Sequence, residues 1–498
     1  MGVIQKQSIS GVIWSYLGVG LGFITTVFLF TKILSTEEIG LLRLLVSYSS
    51  ILAIFASFGM NTVTVKLFPF FRDADNRHNG FLGIALIVSM LGFLVASLVY
   101  ILFEPLIIEN AREKSALFIP YFYVVVPLTF FIVLFGLLDT YYRVLYNAVK
   151  GIIYKEVVQR ILVIVAVILY YFGWIDFMLL VWLNVFAYVV PTILFIISLQ
   201  GTKQFHLKPG FAFVDKKLKR EMINVAFFGI LASFSGVLVQ SIDVIMVNDY
   251  LGLSLTGVYA ISFFFGTLIV VPMRTMGKIG SVVIADAWKE NDTLTIASIY
   301  KKSSLSLSVL GLLLFVGIWG NIDNVFQLVG EQYSAGKYVI FFIGLANLTD
   351  VFMGMSSHIV VTSKYYRWQT YLLAIFAILI VASNIILIPV YGIVGAALAS
   401  FISKFVFNGL KFLFVYNRFG FQPFIFKHVL LLAISAGAWY LSTLVPALPN
   451  YILDIVIRSA LITLLFGLPV YYLNISDDIN EKIDSILAMV GIRLKGGR

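Results

Sequence analysis

Six charged side chains interrupt runs that are otherwise apolar: Arg43 in GLLRLLV, Asp139, Asp243 in SIDVIMV, Arg274, Asp350 and Lys404. A charge near the centre of a bilayer costs at least ~2.5–3.5 kcal/mol on insertion scales, so a residue of this kind is a functional candidate by default. The three cations Arg43, Lys404 and Arg274 suit an anionic substrate. The three carboxylates Asp243, Asp350 and Asp139 suit a coupling proton or sodium ion. Blander readings stand beside these. Asp139 and Arg274 lie at the ends of their runs and can reach the interface. Arg43 and Lys404 can snorkel along their apolar stems. Asp350 and Lys404 can form a buried structural pair. The chain has no cysteine and four scattered histidines, which removes disulfides, thiolate metal sites and cysteine nucleophiles. No catalytic residue, metal site or resident cofactor is expected, and the chain is not read as an enzyme.

Composition fixes what must carry these charges. Of 498 residues, 60% are apolar and 12% charged, against about 25% charged in a soluble domain. The surplus apolar surface must face lipid. A crossing helix needs about 20 apolar residues. Fourteen such runs are read, at 9–33, 39–65, 80–103, 116–140, 152–172, 175–199, 223–249, 254–276, 303–320, 337–362, 368–388, 393–416, 427–445 and 452–473. They are twice the length of a barrel strand and do not alternate in polarity, so the expected fold is all-α and polytopic. The first run is too long for a signal peptide and no cleavage pattern follows it.

All but six of the 35 basic residues fall on one side of this alternation. The exceptions are Lys32, Arg43, Arg112, Lys114, Lys337 and Arg458. Lys404 is counted with the basic side, through the loop nearest it, and Lys411, late in the run 393–416, is counted there as well. The positive-inside rule then makes that side, and both termini, cytoplasmic. The net charge of +10 is assigned to orientation and to anionic headgroups rather than to nucleic acid.

A repeat divides the chain. LSTEEIGL at 34–41 matches LGLSLTGV at 251–258, with Gly40 on Gly257. Tyr171, Phe172 and Gly173 match Val390, Tyr391 and Gly392. The expected organisation is a six-helix lobe at 1–200, a basic cytoplasmic linker at 201–222, a second six-helix lobe at 223–418, two extra helices at 419–476, and an amphipathic tail at 477–498. The linker, with FVDKKLKREM, is read as a segment on the lipid surface. The tail carries Ile479, Ile483, Ile486, Leu487 and Val490 on one face and is read the same way. Gly18 and Gly22 permit close helix approach, and Pro127, Pro191 and Pro272 can bend their spans.

Twelve spans in two lobes plus two more, the stretch from Ile242–Asp243 to TGVYAIS ending at Ser262, and LIPVYGIVGAALAS at 387–400 together resemble the polysaccharide-biosynthesis flippases of the O-antigen and capsule type. These belong to the multidrug/oligosaccharidyl-lipid/polysaccharide exporter superfamily. The resemblance implies a V-shaped pair of lobes and the flipping of an undecaprenyl-diphosphate-linked oligosaccharide by ion-coupled alternating access. It also implies a bacterial inner-membrane location beside a polysaccharide polymerase and a chain-length regulator. Basic cavity residues would meet the diphosphate and acidic residues would bind a cation, roles compatible with Arg43, Lys404, Asp243 and Asp350. A multidrug exporter of the same superfamily and a lipid II flippase are alternatives. A membrane glycan polymerase is disfavoured by short outward loops without histidine.

Overall fold

The computed structural model describes residues 3–147 and 149–489. Every regular element among them is a helix, as a lipid environment requires when no water is present to satisfy backbone groups. Among the described residues, eleven helices are long and apolar enough to cross a membrane, so the count of fourteen is not confirmed. The difference has three local causes. The run at 152–172 is broken into Val149–Ile153, a π-helical stretch Tyr154–Val158 and Gln159–Tyr171. The run at 427–445 becomes Phe426–Thr443, where Lys427 and His428 dilute a helix of only 18 residues. The runs at 368–388 and 393–416 form one continuous element, Arg367–Phe419, interrupted at Gly392 (φ 59°, ψ −139°).

That last element is a hairpin. Phe376 stacks on Phe407 at 4.9 Å and Trp368 lies 5.1 Å from Phe414, whereas 31 residues of straight helix would separate the first pair by about 46 Å. The chain therefore doubles back at Gly392, in a backbone region that is open only to glycine.

The chain divides into two compact units: Met1–Ile261 with Ala377–Ile393, and Ser262–Phe376 with Val394–Arg498. In the first unit the helix Thr36–Ala56 starts at a capping box, in which Ser35 Oγ accepts from Glu38 N and Glu38 Oε2 accepts from Ser35 N. Glu38 Oε1 also accepts from Tyr170 (2.8 Å). Gly18 lies against the Cβ and carbonyl of Glu156, a close helix approach with no space for a Cβ, whereas Gly22 faces the guanidinium end of Arg160. The two repeat-matched turns meet. Gly40 packs on the Leu253 carbonyl, Gly257 packs on the Thr36 carbonyl, and Thr36 Oγ1 lies 2.8 Å from Ser254 Oγ.

The basic linker does not simply rest on a lipid surface. Gln204 Oε1 lies 2.6 Å from His78 Nε2, Gly210 N donates to Gly80 O, and Phe213 packs on Phe71. Val214 and Leu218 join the core around Phe68, Phe81 and Tyr141. The linker's apolar residues alternate with its lysines, so it can bury the former while Lys208, Lys216, Lys217 and Lys219 stay exposed.

In the second unit, Thr293–Gly320 packs with Lys337–Phe352, Phe426–Thr443 and Tyr451–Tyr472. Arg458 holds Asp454 (3.0 Å) and donates to the carbonyls of Ser442 and Val445, closing the end of Phe426–Thr443. The tail helix Asp477–Met489 is tied in by Asn480 donating to Tyr471 O and by Ser476 meeting Ser306. Val490 and the residues to 498 lie outside the described residues, as do the side chains of Ile486 and Leu487.

Candidate functional site

Each unit holds one polar cluster built on candidate residues. In the second unit, Asn347 and Asp350 share a face of Lys337–Phe352 by their i, i+3 spacing. Lys404, Asn408 and Lys411 share a face of the limb 393–419 at i, i+4 and i+7. Lys404 Nζ donates to Asp350 Oδ2 and to Asn347 Oδ1, each at 2.7 Å. Asn408 Nδ2 donates to Asp350 Oδ1 and to Thr349 Oγ1, each at 2.8 Å. Asn347 is held in turn by donating to the Gly266 carbonyl (2.8 Å). The Lys404 and Asp350 side chains keep 20% and 22% of their surface accessible, so the pair is sheltered and still reachable. An anion arriving at Lys404 would compete with Asp350 for the same ammonium.

Lys411 corrects the sequence reading. It lies inside the run 393–416 and is counted with the cytoplasmic side, yet it is 2% exposed. Its ammonium donates to Ser357 Oγ (3.0 Å) and lies over the Phe407 ring (4.7 Å). The helix continues to Phe419, so Lys411 falls two turns short of the end and on the same face as Lys404.

In the first unit, Asp243 is 1% exposed. Its Oδ2 accepts from Tyr259 (2.9 Å) and its Oδ1 accepts from Asn384 Nδ2 (2.7 Å). Asn384 comes from the hairpin limb just before Gly392, so the bend that shapes the hairpin also delivers this amide. Its own Oδ1 is buried without a partner among the described residues. Arg43 is exposed on Thr36–Ala56 and has the hydroxyls of Tyr188 and Tyr259 as electrostatic neighbours. Tyr259 thus borders both Arg43 and Asp243.

The other two candidates stand apart. Asp139 pairs with Arg143 on its own helix (3.2 Å), and that arginine is half exposed. Arg274 is exposed on Val271–Lys289. Neither bonds to the other four candidates among the described residues. The amides Asn347, Asn384 and Asn408, with Tyr259 and Lys411, escaped the sequence reading. Only the i+4 and i+7 spacing from Lys404 could have flagged Asn408 and Lys411.

The arrangement is a multi-pass helical membrane protein of transporter fold, and comparison with solved structures agrees. The chain is similar to a lipid II flippase, MurJ, in an inward closed conformation: TM-score 0.74 at 16% identity, covering 94% of this chain and 99% of that one. It is similar to an inward-facing multidrug resistance transporter of the MATE family, in the MOP superfamily, with TM-score 0.62 at 17% identity over 84% and 95% of the two chains. A MOP superfamily transporter from Pyrococcus furiosus, described by a binding pocket of reverse polarity, gives 0.58 at 15% identity over 84% and 96%. Comparison with curated proteins gives no match. The model of the family "Polysaccharide biosynthesis protein" matches residues 5–278, more than half of the chain, and the chain belongs to that family.

Proposed function

We propose that the protein flips an undecaprenyl-diphosphate-linked oligosaccharide from the cytoplasmic to the periplasmic leaflet of a bacterial inner membrane, for O-antigen, capsule or exopolysaccharide assembly. The observation that carries this reading is the accessible Lys404–Asp350 pair inside an apolar helix bundle. A diphosphate reaching Lys404 draws the ammonium away from Asp350. The carboxylate then lacks a full counter-charge in a region where an unpaired charge is costly, and it takes up a proton or a sodium ion. Substrate and ion occupancy become linked by charge balance alone. Arg43 supplies a second cation, and Asp243, with Tyr259 and Asn384, supplies a second carboxylate with oxygen-bearing neighbours. Transport by alternating access with both termini cytoplasmic agrees with the basic asymmetry of the loops, and no chemical step on the substrate is needed.

Similarity to a lipid II flippase favours that substrate as a second reading, since it presents the same lipid-diphosphate chemistry with a different glycan. The test is reconstitution in vesicles with fluorescent lipid-linked oligosaccharide, lipid II and a cationic dye supplied separately. Flipping of the oligosaccharide, lost in Lys404→Ala, supports the proposal. Flipping of lipid II alone replaces the glycan assignment. Export of the dye with neither lipid moved overturns the reading in favour of a multidrug exporter.

A further inference from the structure

Lys404 is not the only cation on its helix face. Lys411 and Arg418 follow at successive intervals of seven residues. Seven residues are within about 20° of two full turns, so all three project from one stripe at steps of ~10.5 Å. The stripe runs from the middle of the limb 393–419 to its end. Arg418 is exposed there and lies 5.6 Å over the Tyr365 ring. Lys404, at the other end, is partly accessible.

The middle residue has no local reason to be charged. A lysine serving only orientation would extend into water, as Arg418 does, but Lys411 is buried. A lysine serving only structure would pair with a carboxylate. Asp350 is the carboxylate nearest in this cluster, and Lys404 and Asn408 already occupy both its oxygens. Lys411 forms no ion pair among the described residues and donates to one neutral hydroxyl. The cluster therefore buries two ammonium groups against one carboxylate. The remaining neighbours add no negative charge: Phe407 offers a ring face and His358 is a basic residue. The hydroxyl partner, Ser357, sits on the short helix Ser356–Thr362. A turn through Gly354 (φ 49°) separates that helix from Lys337–Phe352, so Lys411 and Lys404 bond to different helices.

We infer that Lys411 is the middle rung of an anion path in which Arg418, Lys411 and Lys404 successively hold the phosphate groups of the lipid-linked substrate on its way from the membrane surface to the Asp350 site. Asp350 is shared electrostatically by Lys404 and Lys411, and the second negative charge that the two ammonium groups lack is the substrate's own. This inference rests on the proposed function and adds two residues to it.

The experiment is flipping by the full chain in vesicles of neutral lipid, with an undecaprenyl-diphosphate-linked oligosaccharide as donor. Wild type is compared with Lys411→Met, Lys411→Arg and Arg418→Met. Lys411→Met keeps the stem and removes the charge. It should raise the half-saturating donor concentration about three- to tenfold, the size expected for losing one charge-assisted phosphate contact, with the maximal rate changed less. Arg418→Met should shift in the same direction by a smaller factor, and Lys411→Arg should recover most of the Lys411→Met loss. Thermal unfolding of Lys411→Met should match or exceed wild type, because an unpaired buried charge has been removed. A second arm adds inorganic pyrophosphate. Competition seen in wild type and weakened in Lys411→Met supports recognition of the phosphates themselves. Unchanged half-saturation in Lys411→Met, or a loss of flipping that follows a lowered melting temperature, overturns the path. A wild type that flips no lipid-linked oligosaccharide overturns the proposed function itself.

Discussion

The contact between the two repeat-matched turns can be tested with unusual cleanliness, because the natural chain has no cysteine. Thr36 and Ser254 face each other with their hydroxyl oxygens 2.8 Å apart. That approach brings thiols at the same two positions within reach of each other. The double variant Thr36→Cys/Ser254→Cys should cross-link under mild oxidant, without background from other positions. Gly40 sets how closely the turns approach. A methyl group there falls well inside contact distance of the Leu253 carbonyl and 3.1 Å from Gly257 N, and both are backbone atoms that cannot swing aside. Overpacking of this kind costs ~1–3 kcal/mol, which shifts a closed-to-open equilibrium of the turns by roughly 5- to 150-fold. Adding Gly40→Ala to the cysteine pair should therefore slow cross-linking, by at most about that factor. If the turns part during transport, the cross-linked protein should stop flipping and recover on reduction. Wild-type cross-linking kinetics in the Gly40→Ala background would refute the packing argument. Full transport by the cross-linked form would refute the idea that this contact opens in the cycle.

Other perturbations have equally definite outcomes. Asp350→Asn should lower the melting temperature more than the double variant Asp350→Asn/Lys404→Met, because the single change strands a lysine. The cost should lie below the ~3–5 kcal/mol of a fully buried pair, as about a fifth of each side chain is accessible. Arg458→Ala should cost the full ~3–5 kcal/mol, since it leaves Asp454 almost wholly buried and uncaps Ser442 and Val445. Thermal unfolding in detergent measures it, and the half-saturating substrate concentration of surviving protein should not move. Gly392→Ala places a side chain at φ 59°, ψ −139° and should cost ~1–3 kcal/mol, read as reduced folded yield. Asp243→Asn should weaken the dependence of flipping on the driving ion, leaving the part carried by Asp350, while binding of the lipid substrate stays within about twofold, a change below ~0.5 kcal/mol.

The site was legible in part, and the boundary has a physical meaning. Arg43, Asp243, Asp350 and Lys404 stood out because charge in an apolar run violates the membrane's solvation rule, a property visible in one dimension. Their amide partners did not stand out, because an asparagine in a helix is unremarkable until its rotation about the axis is known. Lys411 was misassigned for a related reason. Counting by side assigns a lysine near the end of the run 393–416 to the adjacent cytoplasmic side, and only packing reveals that its neighbours cover it.

The same division runs through the fold. Composition and run length by themselves determined that this is a multi-pass helical protein, because lipid admits no other way to satisfy the backbone of 20-residue apolar segments. Gly18, of the pair Gly18 and Gly22, marked a close approach to the helix carrying Glu156. Tertiary structure decided which helices meet. It set Gly40 against Leu253, folded Arg367–Phe419 back on itself at Gly392, docked the basic linker through its apolar residues, and gave Lys404 to Asp350 while leaving Lys411 with no ion pair of its own among the described residues. Hydropathy sums over a segment and is blind to the azimuth of each side chain, and it is azimuth, fixed only by neighbouring helices, that chooses partners.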